Sequence, residues 1–303
     1  MFFSLLITIV SGTALLLLVM AFSLLFFGVR ERFAAKGGIL APLERFVAGR
    51  CSGKECPSFC LYASCLCILL VFLFIPMGSL PQFVSTRCDI FVVLVLLALA
   101  QSLYIRGMKF FSADFYQSLD RSEINSLFRF VMCAIICGGA LSWYVLNRGV
   151  PGDIFSLNTF SAMPLWRVTG FWGKTGLVLF LILLTLNMPG KRIHEKVIIR
   201  DGDIAIAEMF DAMRLVTCPA LITAIFFPLK AGLLFGMIGF PMYALDFALF
   251  WTTVFFMEIF VLPWIKMFYL TFIAPRLNWH SDWLIHTSLG AAGTMFMMFD
   301  LYL

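Results

Sequence analysis

The sequence is poor in charged residues. Only 13% of its 303 residues are Asp, Glu, Lys or Arg, whereas soluble domains average about 25%. Hydrophobic residues make up 62% of the chain, and the mean hydropathy is +0.98. A soluble core cannot absorb that much apolar surface, so a large globular domain is excluded. We therefore predict an integral membrane protein.

Patterns that carry catalysis or bind metals are also scarce. His194, His280 and His286 are too dispersed for a His-x-x-His or Glu-x-x-His pair. Cys51 and Cys56 lie in a polar loop at a spacing that matches no common metal motif. The sequence has neither a glycine-rich phosphate loop nor a nucleophile elbow. We expect no catalytic residue, no metal site and no cofactor in this chain.

Long apolar runs dominate what is present. A membrane-spanning helix needs about 20 mostly apolar residues, and no alternating strand pattern typical of a barrel is visible. The first run has no basic segment before it, so we expect a membrane helix rather than a cleaved signal peptide. The sequence predicts an all-α polytopic bundle of about eight transmembrane helices. The predicted spans are Phe2–Phe27, Phe59–Met77, Asp89–Ile105, Leu127–Leu146, Gly170–Met188, Leu215–Gly239, Tyr243–Trp264 and Leu284–Leu303.

Basic residues are concentrated in alternate loops. Most of the 22 Lys and Arg residues lie in the predicted loops 28–58, 106–126, 189–214 and 265–283. Basic loops face the cytoplasm, so both termini are predicted on the outer side. The net charge of +5 then reflects topology, and we predict no nucleic-acid partner. We expect one integral membrane domain, 1–303, in a bacterial or archaeal cytoplasmic membrane.

Several short motifs are spread over the whole chain. They are Gly38–Leu43 and Lys54-Glu55 in the first loop, Phe74–Gly78 at the end of span 2, Leu119–Ser122 in the third loop and Ala274–Leu277 in the last loop. These motifs resemble those of the subunit 1 family of respiratory complex I. The nearest branch of that family is the membrane anchor subunit of group 4 [NiFe] hydrogenase and formate hydrogenlyase complexes.

The resemblance implies a non-catalytic membrane anchor of a complex I-like, ion-translocating oxidoreductase. It would dock soluble iron–sulfur and hydrogenase-like subunits on the cytoplasmic side and contact antiporter-like membrane subunits. Iron–sulfur clusters, and a nickel–iron centre in the hydrogenase branch, would belong to those partners. The residues singled out in the docking loops are Arg30, Arg32, Arg45, Arg121, Glu195, Asp201 and Asp203.

A second group of ionisable residues lies within or beside the predicted spans. Burying a charge in a bilayer costs about 3 kcal/mol on insertion scales, so such residues face the bundle interior and pair. Two interpretations stay open for them, a proton relay and structural ion pairing. Lys230 stands where the resembling family has a glutamate, and Asp300 is predicted to lie outside the bilayer. The relay candidates are Lys230, Glu258, Asp246, Glu208 and Asp211.

The stretch before span 6 is the most polar part of the chain. Glu208, Asp211 and Arg214 recur every third residue and would share one face of a helix. Met209 and Met213 would lie on the other face. This pattern predicts either a solvated amphipathic helix or a surface for a partner subunit.

A stand-alone secondary transporter is the alternative function. Pro219, Pro228 and three glycines in span 6 would break a helix as transporter sites do. Against this interpretation, no matching broken helix occurs four spans earlier, and the polar mass lies on one side. A membrane lipid-modifying enzyme, the third interpretation, lacks a catalytic constellation.

Overall fold

The chain is almost entirely helical. The computed structural model describes residues 2–33, 40, 44, 59–77, 89–109, 126–149, 153–189, 201–230, 240–273 and 282–303. Over these residues the helices are α1 Phe2–Phe33, α2 Phe59–Phe74, α3 Ile90–Lys109, α4 Ser126–Asn147, α5 Leu157–Ala162, α6 Leu165–Val168, α7 Phe171–Leu186, α8 Asp201–Phe226, α9 Phe240–Phe256, α10 Leu262–Phe268 and α11 Asp282–Tyr302. The extended pairing within the described ranges is a single bridge between Asp89 and Ser156. The predicted all-α fold is confirmed.

Each of the eight predicted spans overlaps a helix. Among the described residues, five segments are long and apolar enough to cross a membrane: Gly12–Arg30, Ile90–Met108, Leu127–Asn147, Ala205–Phe226 and Met242–Phe272. Phe59–Phe74 and Phe171–Leu186 are shorter apolar helices, and α11 covers the last predicted span. The chain is therefore a polytopic membrane protein. Two further statements stay predictions: that both termini face the outer side, and that the basic loops face the cytoplasm.

Helix α8 differs most from the prediction. It begins at Asp201, inside the predicted loop 189–214, and ends at Phe226, well before the predicted end of span 6. Residues 227–230 are not helical. The hydropathy pattern misplaced the boundary because five charged residues between positions 201 and 214 lower the apolar character of this part of the helix. Pro219 lies inside α8, where it lacks the amide hydrogen that would bond to the carbonyl four residues earlier.

The chain folds as two compact units. The first comprises Met1–Phe74, Val95–Phe128 and Pro189–Cys218, and the second comprises Ile75–Leu94, Arg129–Met188 and Pro219–Leu303. In the first unit, Leu24 and Phe27 of α1 pack against Ala212 and Leu215 of α8. This apolar contact fixes the part of α8 that carries the charged residues against α1.

In the second unit, two glycines allow α7 and α11 to approach closely. A Cβ atom on Gly176 would lie 2.9 Å from the carbonyl oxygen of Gly293. A Cβ atom on Gly293 would lie 2.6 Å from a ring carbon of Phe180. Small residues at such crossings let the backbones meet, which is how membrane helices gain packing energy without a hydrophobic driving force.

A long helical segment also belongs to the second unit. It runs from α9 through the π-helical turn Met257–Val261 and α10 to a second π-helical turn, Tyr269–Ile273. Its membrane-span candidate of 31 residues, Met242–Phe272, extends over about 46 Å at about 1.5 Å per residue. The hydrocarbon core of a bilayer is about 30 Å thick, so this segment either tilts or extends beyond the core.

Candidate functional site

Helix α8 carries three charged side chains into the interior of the first unit. Glu208 is 5% exposed, whereas Asp211 and Arg214 are completely buried. Arg214 Nη2 lies 3.0 Å from Asp211 Oδ1, so the two charges pair within one turn of the helix, as their spacing predicts. Removing one member of a buried ion pair leaves a buried charge without that partner, so the loss of either residue is expected to destabilise the fold.

From Ala205 onward, helix α8 offers no exposed surface to a partner. Every residue from Ala205 to Phe226 is buried within this chain. Met209 and Met213 therefore pack inside the bundle and not against another subunit. Both amphipathic interpretations of this stretch were wrong, because the charged residues pair inside the bundle and the apolar residues surround them.

Side chains from two other helices surround the α8 charges. Tyr104 of α3 is completely buried, and its ring stacks on that of Phe210 with the centroids 4.1 Å apart. The phenol lies within range of the charges of both Asp211 and Arg214. Cys65 of α2 donates its thiol hydrogen to the carbonyl oxygen of Ile206, with 3.7 Å between sulfur and oxygen. The thiol also interacts electrostatically with the carboxylate of Asp211. We define the buried charge cluster as Glu208, Asp211, Arg214 and Tyr104. The cluster therefore contains groups that can take up and release protons, and these groups lie beside the fixed positive charge of Arg214.

The other three relay candidates belong to the second unit. Lys230 is half-buried in the non-helical segment that follows α8, and Asp246 is completely buried in α9. Glu258 is 9% exposed and lies in the first π-helical turn, a feature that is frequent at functional sites. Asp246 and Glu258 lie about 18 Å apart along the helix axis at about 1.5 Å per residue. They cannot act as one contact pair.

Two of the predicted docking residues lie at the end of α1. Arg30 and Arg32 occupy its last turn, and Arg32 is exposed. Cations are favourable there because of the helix dipole. Asp201 and Asp203 belong to the first turn of α8. Arg45, Arg121 and Glu195 lie outside the described residues.

A polar cluster that the sequence did not reveal is built around Asp300 of α11. Its Oδ2 accepts hydrogen bonds from Tyr144 Oη at 2.6 Å, from Arg148 Nη2 at 3.0 Å and from the Gly170 amide at 3.0 Å. Arg148 Nη2 also donates to the Asp300 carbonyl oxygen at 2.8 Å. We call this group the Asp300 clasp. It joins the end of α4, the start of α7 and the last helix.

Asp300 is only 9% exposed, so it lies within the helix bundle, and its position outside the bilayer stays a prediction. Its carboxylate stands at the N-terminus of α7, where Gly170 is the N-cap residue and the helix dipole favours a negative charge. A Cβ atom on Gly170 would lie 2.5 Å from Asp300 Oδ1, so glycine leaves room for the carboxylate. Burial lowers the pKa of Arg148, but its hydrogen bond to Tyr144 and the charge of Asp300 raise that pKa overall. The guanidinium therefore stays protonated.

Metal ligands do not gather in the part of the chain that the structure describes. No three His, Cys, Asp or Glu side chains there are arranged to hold an ion. A cavity of about 350 Å³ in the second unit is lined by Asp89, Asp153, Ile154, Phe155 and Ser156. Asp89 Oδ1 accepts a hydrogen bond from the Phe91 amide at 2.8 Å, so this carboxylate caps the start of α3.

Comparison with known proteins gives a likeness in fold. No family model matches the sequence, and no curated protein matches it. Among solved structures, the chain is similar to one in the membrane-bound sulfane sulfur reductase (MBS), described as an archaeal respiratory membrane complex. The match has a TM-score of 0.60 and 13% sequence identity, and it covers 96% of this chain and 99% of that chain. The two chains share their fold over almost their whole length.

Proposed function

We propose that this chain is a membrane subunit of a complex I-like respiratory oxidoreductase, of the branch that includes group 4 hydrogenases. The observation that carries the proposal is the shared fold with a chain of the MBS complex, at nearly full length in both chains. Because the match extends over nearly the whole of both chains, it favours the same position in a larger assembly over the sharing of one structural module.

The sequence motifs support the same assignment at one place that the structure describes. Helix α2 ends at Phe74, and Ile75, Pro76 and Met77 follow it as buried residues. This is the segment that resembles the Ile-Pro-Phe-Gly motif of the complex I subunit. The motif therefore stands where a proline ends a membrane helix, which is the structural role its sequence implies.

Within such a complex, we propose that the chain anchors a soluble redox arm on its basic side. Arg30 and Arg32 at the end of α1 would contribute to that docking surface. The soluble partners would hold the iron–sulfur clusters and the hydrogenase-like centre, and antiporter-like subunits would lie beside the chain in the membrane. This chain would supply no cofactor.

We also propose that ionisable groups inside the bundle take part in ion movement. Ionisable residues inside a membrane are costly and therefore rare, and where they occur they commonly mark ion or proton pathways. The buried charge cluster lies in the first unit, and Asp246 and Glu258 are buried in the second. Lys230 replaces the family glutamate, so the path in this chain would depend on a different set of groups from that of its relatives.

The test is purification of the tagged chain in a mild detergent, with every accompanying protein identified by mass spectrometry. Recovery of iron–sulfur and hydrogenase-like subunits in fixed proportion is the expected result. A chain that purifies alone and moves a solute after reconstitution in liposomes would overturn the proposal.

That second outcome corresponds to a stand-alone secondary transporter, which one observation favours. Helix α8 stops at Phe226, and residues Phe227–Lys230 are non-helical between apolar segments. Transporters form substrate sites at such interrupted helices. Solute uptake by the purified chain in liposomes, abolished when Lys230 is replaced by Ala, would support this function instead.

A further inference from the structure

The buried charge cluster contains a hydroxyl group that nothing in the described residues satisfies. Tyr104 Oη is completely enclosed and has no hydrogen-bond partner among the described residues. Its ring is held in place by stacking on Phe210, so the hydroxyl cannot swing to the surface. A buried polar group left in this state costs about 1–3 kcal/mol. The chain therefore gains if a small polar ligand bonds to it.

A second hydroxyl of the same kind lies on α1. Ser23 is completely buried, and its Oγ has no hydrogen-bond partner among the described residues. It precedes Leu24 and lies one turn before Phe27, and both of those residues pack against α8. Residues three and four apart share a helix face, so Ser23 lies on the face of α1 that is turned toward α8.

The charges of α8 supply the remaining bonding groups. Glu208 and Asp211 lie on the face of α8 that also carries Ala212 and Leu215, the α1-contacting residues. A carboxylate accepts about four hydrogen bonds, so Asp211 has capacity for a ligand besides Arg214. Buried waters make about three hydrogen bonds each to polar groups of this kind.

We propose that Tyr104 Oη and Ser23 Oγ hold internal water beside the Asp211–Arg214 pair, and that Tyr104 positions this water for proton exchange with Asp211. In each exchange a hydronium ion gives one proton to a carboxylate oxygen of Asp211. A neutral water and a protonated carboxyl group remain, and no electron moves. Tyr104 is a positioning residue in this scheme, because the proton is carried by water and by the carboxylate. The inference deepens the ion-movement part of the proposed function. It rests on that function only for the role of the proton exchange in ion movement, and the presence of the water does not depend on it.

The direct test is X-ray radiolytic labelling of the full chain, purified with whatever accompanies it, followed by mass spectrometry. Hydroxyl radicals form from water and label the side chains next to it, including buried ones. The control is Phe180, which is completely buried against the apolar α7–α11 contact. Labelling of Tyr104 severalfold above that of Phe180 is the expected result. Labelling of Tyr104 as low as that of Phe180 would overturn the inference.

A second arm uses Tyr104→Phe, which keeps the stacked ring and removes only the hydroxyl. Labelling of the neighbouring Phe210 is expected to fall toward that of Phe180, and coupled ion movement is expected to drop with its pH dependence shifted. Tyr62→Phe is the matched control, because Tyr62 is 40% exposed on α2. Unchanged Phe210 labelling in Tyr104→Phe would show that the hydroxyl holds no water. The labelling needs no ion movement, so it decides this inference even if the proposed function fails.

Discussion

Replacing Asp300 by alanine should loosen the second unit at one defined point. The substitution removes a carboxylate that accepts three hydrogen bonds, two of them from α4 and its end and one from the start of α7. Hydrogen bonds to charged groups contribute about 1.5–3 kcal/mol each. The side chain of Arg148 is 36% exposed, so water replaces much of its lost pairing. The Tyr144 hydroxyl has no such replacement because the residue is completely buried.

We therefore expect Asp300→Ala to lower the free energy of unfolding by about 3 kcal/mol. Tyr144→Phe removes two hydrogen bonds, the one donated to Asp300 and the one accepted from Arg148 Nε at 3.1 Å. It should cost about 0.6–1.7 kcal/mol, between the average and the maximum measured for polar contacts between membrane helices. The matched control is Tyr302→Phe, which alters a residue that is 80% exposed and should change nothing measurable.

The assay is unfolding by sodium dodecyl sulfate in mixed micelles, followed by circular dichroism. The two substitutions should be strongly non-additive in combination, because both remove the same bond. If Asp300→Ala costs less than Tyr144→Phe, or if the two effects simply add, the clasp does not join these helices in the way the distances indicate.

Three further outcomes are expected. Arg214→Leu should cost about 3–5 kcal/mol in the same assay, because it removes the positive charge that pairs with Asp211 inside the bundle. Arg214→Leu combined with Asp211→Leu should recover much of that loss, and equal instability of the two variants would contradict the pairing. Gly293→Leu should separate α7 from α11 and lower the unfolding midpoint more than a leucine at an exposed site of α11; a midpoint equal to that control's would refute the close approach. Lys230→Ala and Glu258→Gln should weaken coupled ion movement and leave co-purification with partner subunits intact, and loss of assembly in both would instead indicate structural ion pairs.

Helix positions were predictable because an apolar run of span length has few alternatives in this composition. Each predicted span met a helix, and most ends agree within a few residues. The exception, α8, shows the limit of the method. Glu208, Asp211 and Arg214 lower local hydropathy as exposed residues do, yet here they are buried. Hydropathy reports the side chain alone, whereas burial depends on the partner that the charge finds in the fold.

The two candidate clusters differ in how visible they are from the sequence. Asp211 and Arg214 are three residues apart, so their contact follows from helix geometry. Asp300 is separated by 156 residues from Tyr144 and by 130 from Gly170, and no local pattern connects them. The available signal was indirect: Tyr144 and Arg148 are four residues apart at the end of a span, and Gly170 stands directly before another.

The π-helical turn Met257–Val261 has a consequence for how the long segment tolerates insertions and deletions. Buried residues recur every fourth position from Asp246 through Phe250 and Val254 to Leu262. Each four-residue step on an α-helix overshoots a full turn by about 40°, so the buried side would rotate by about 160° over this distance. The extra residue in the π turn removes about 100° of that rotation. Deleting one residue there would let the turn return to regular α-helix and leave Leu262 on the same side of the segment, whereas the same deletion in α9 would rotate Leu262 by about 100°.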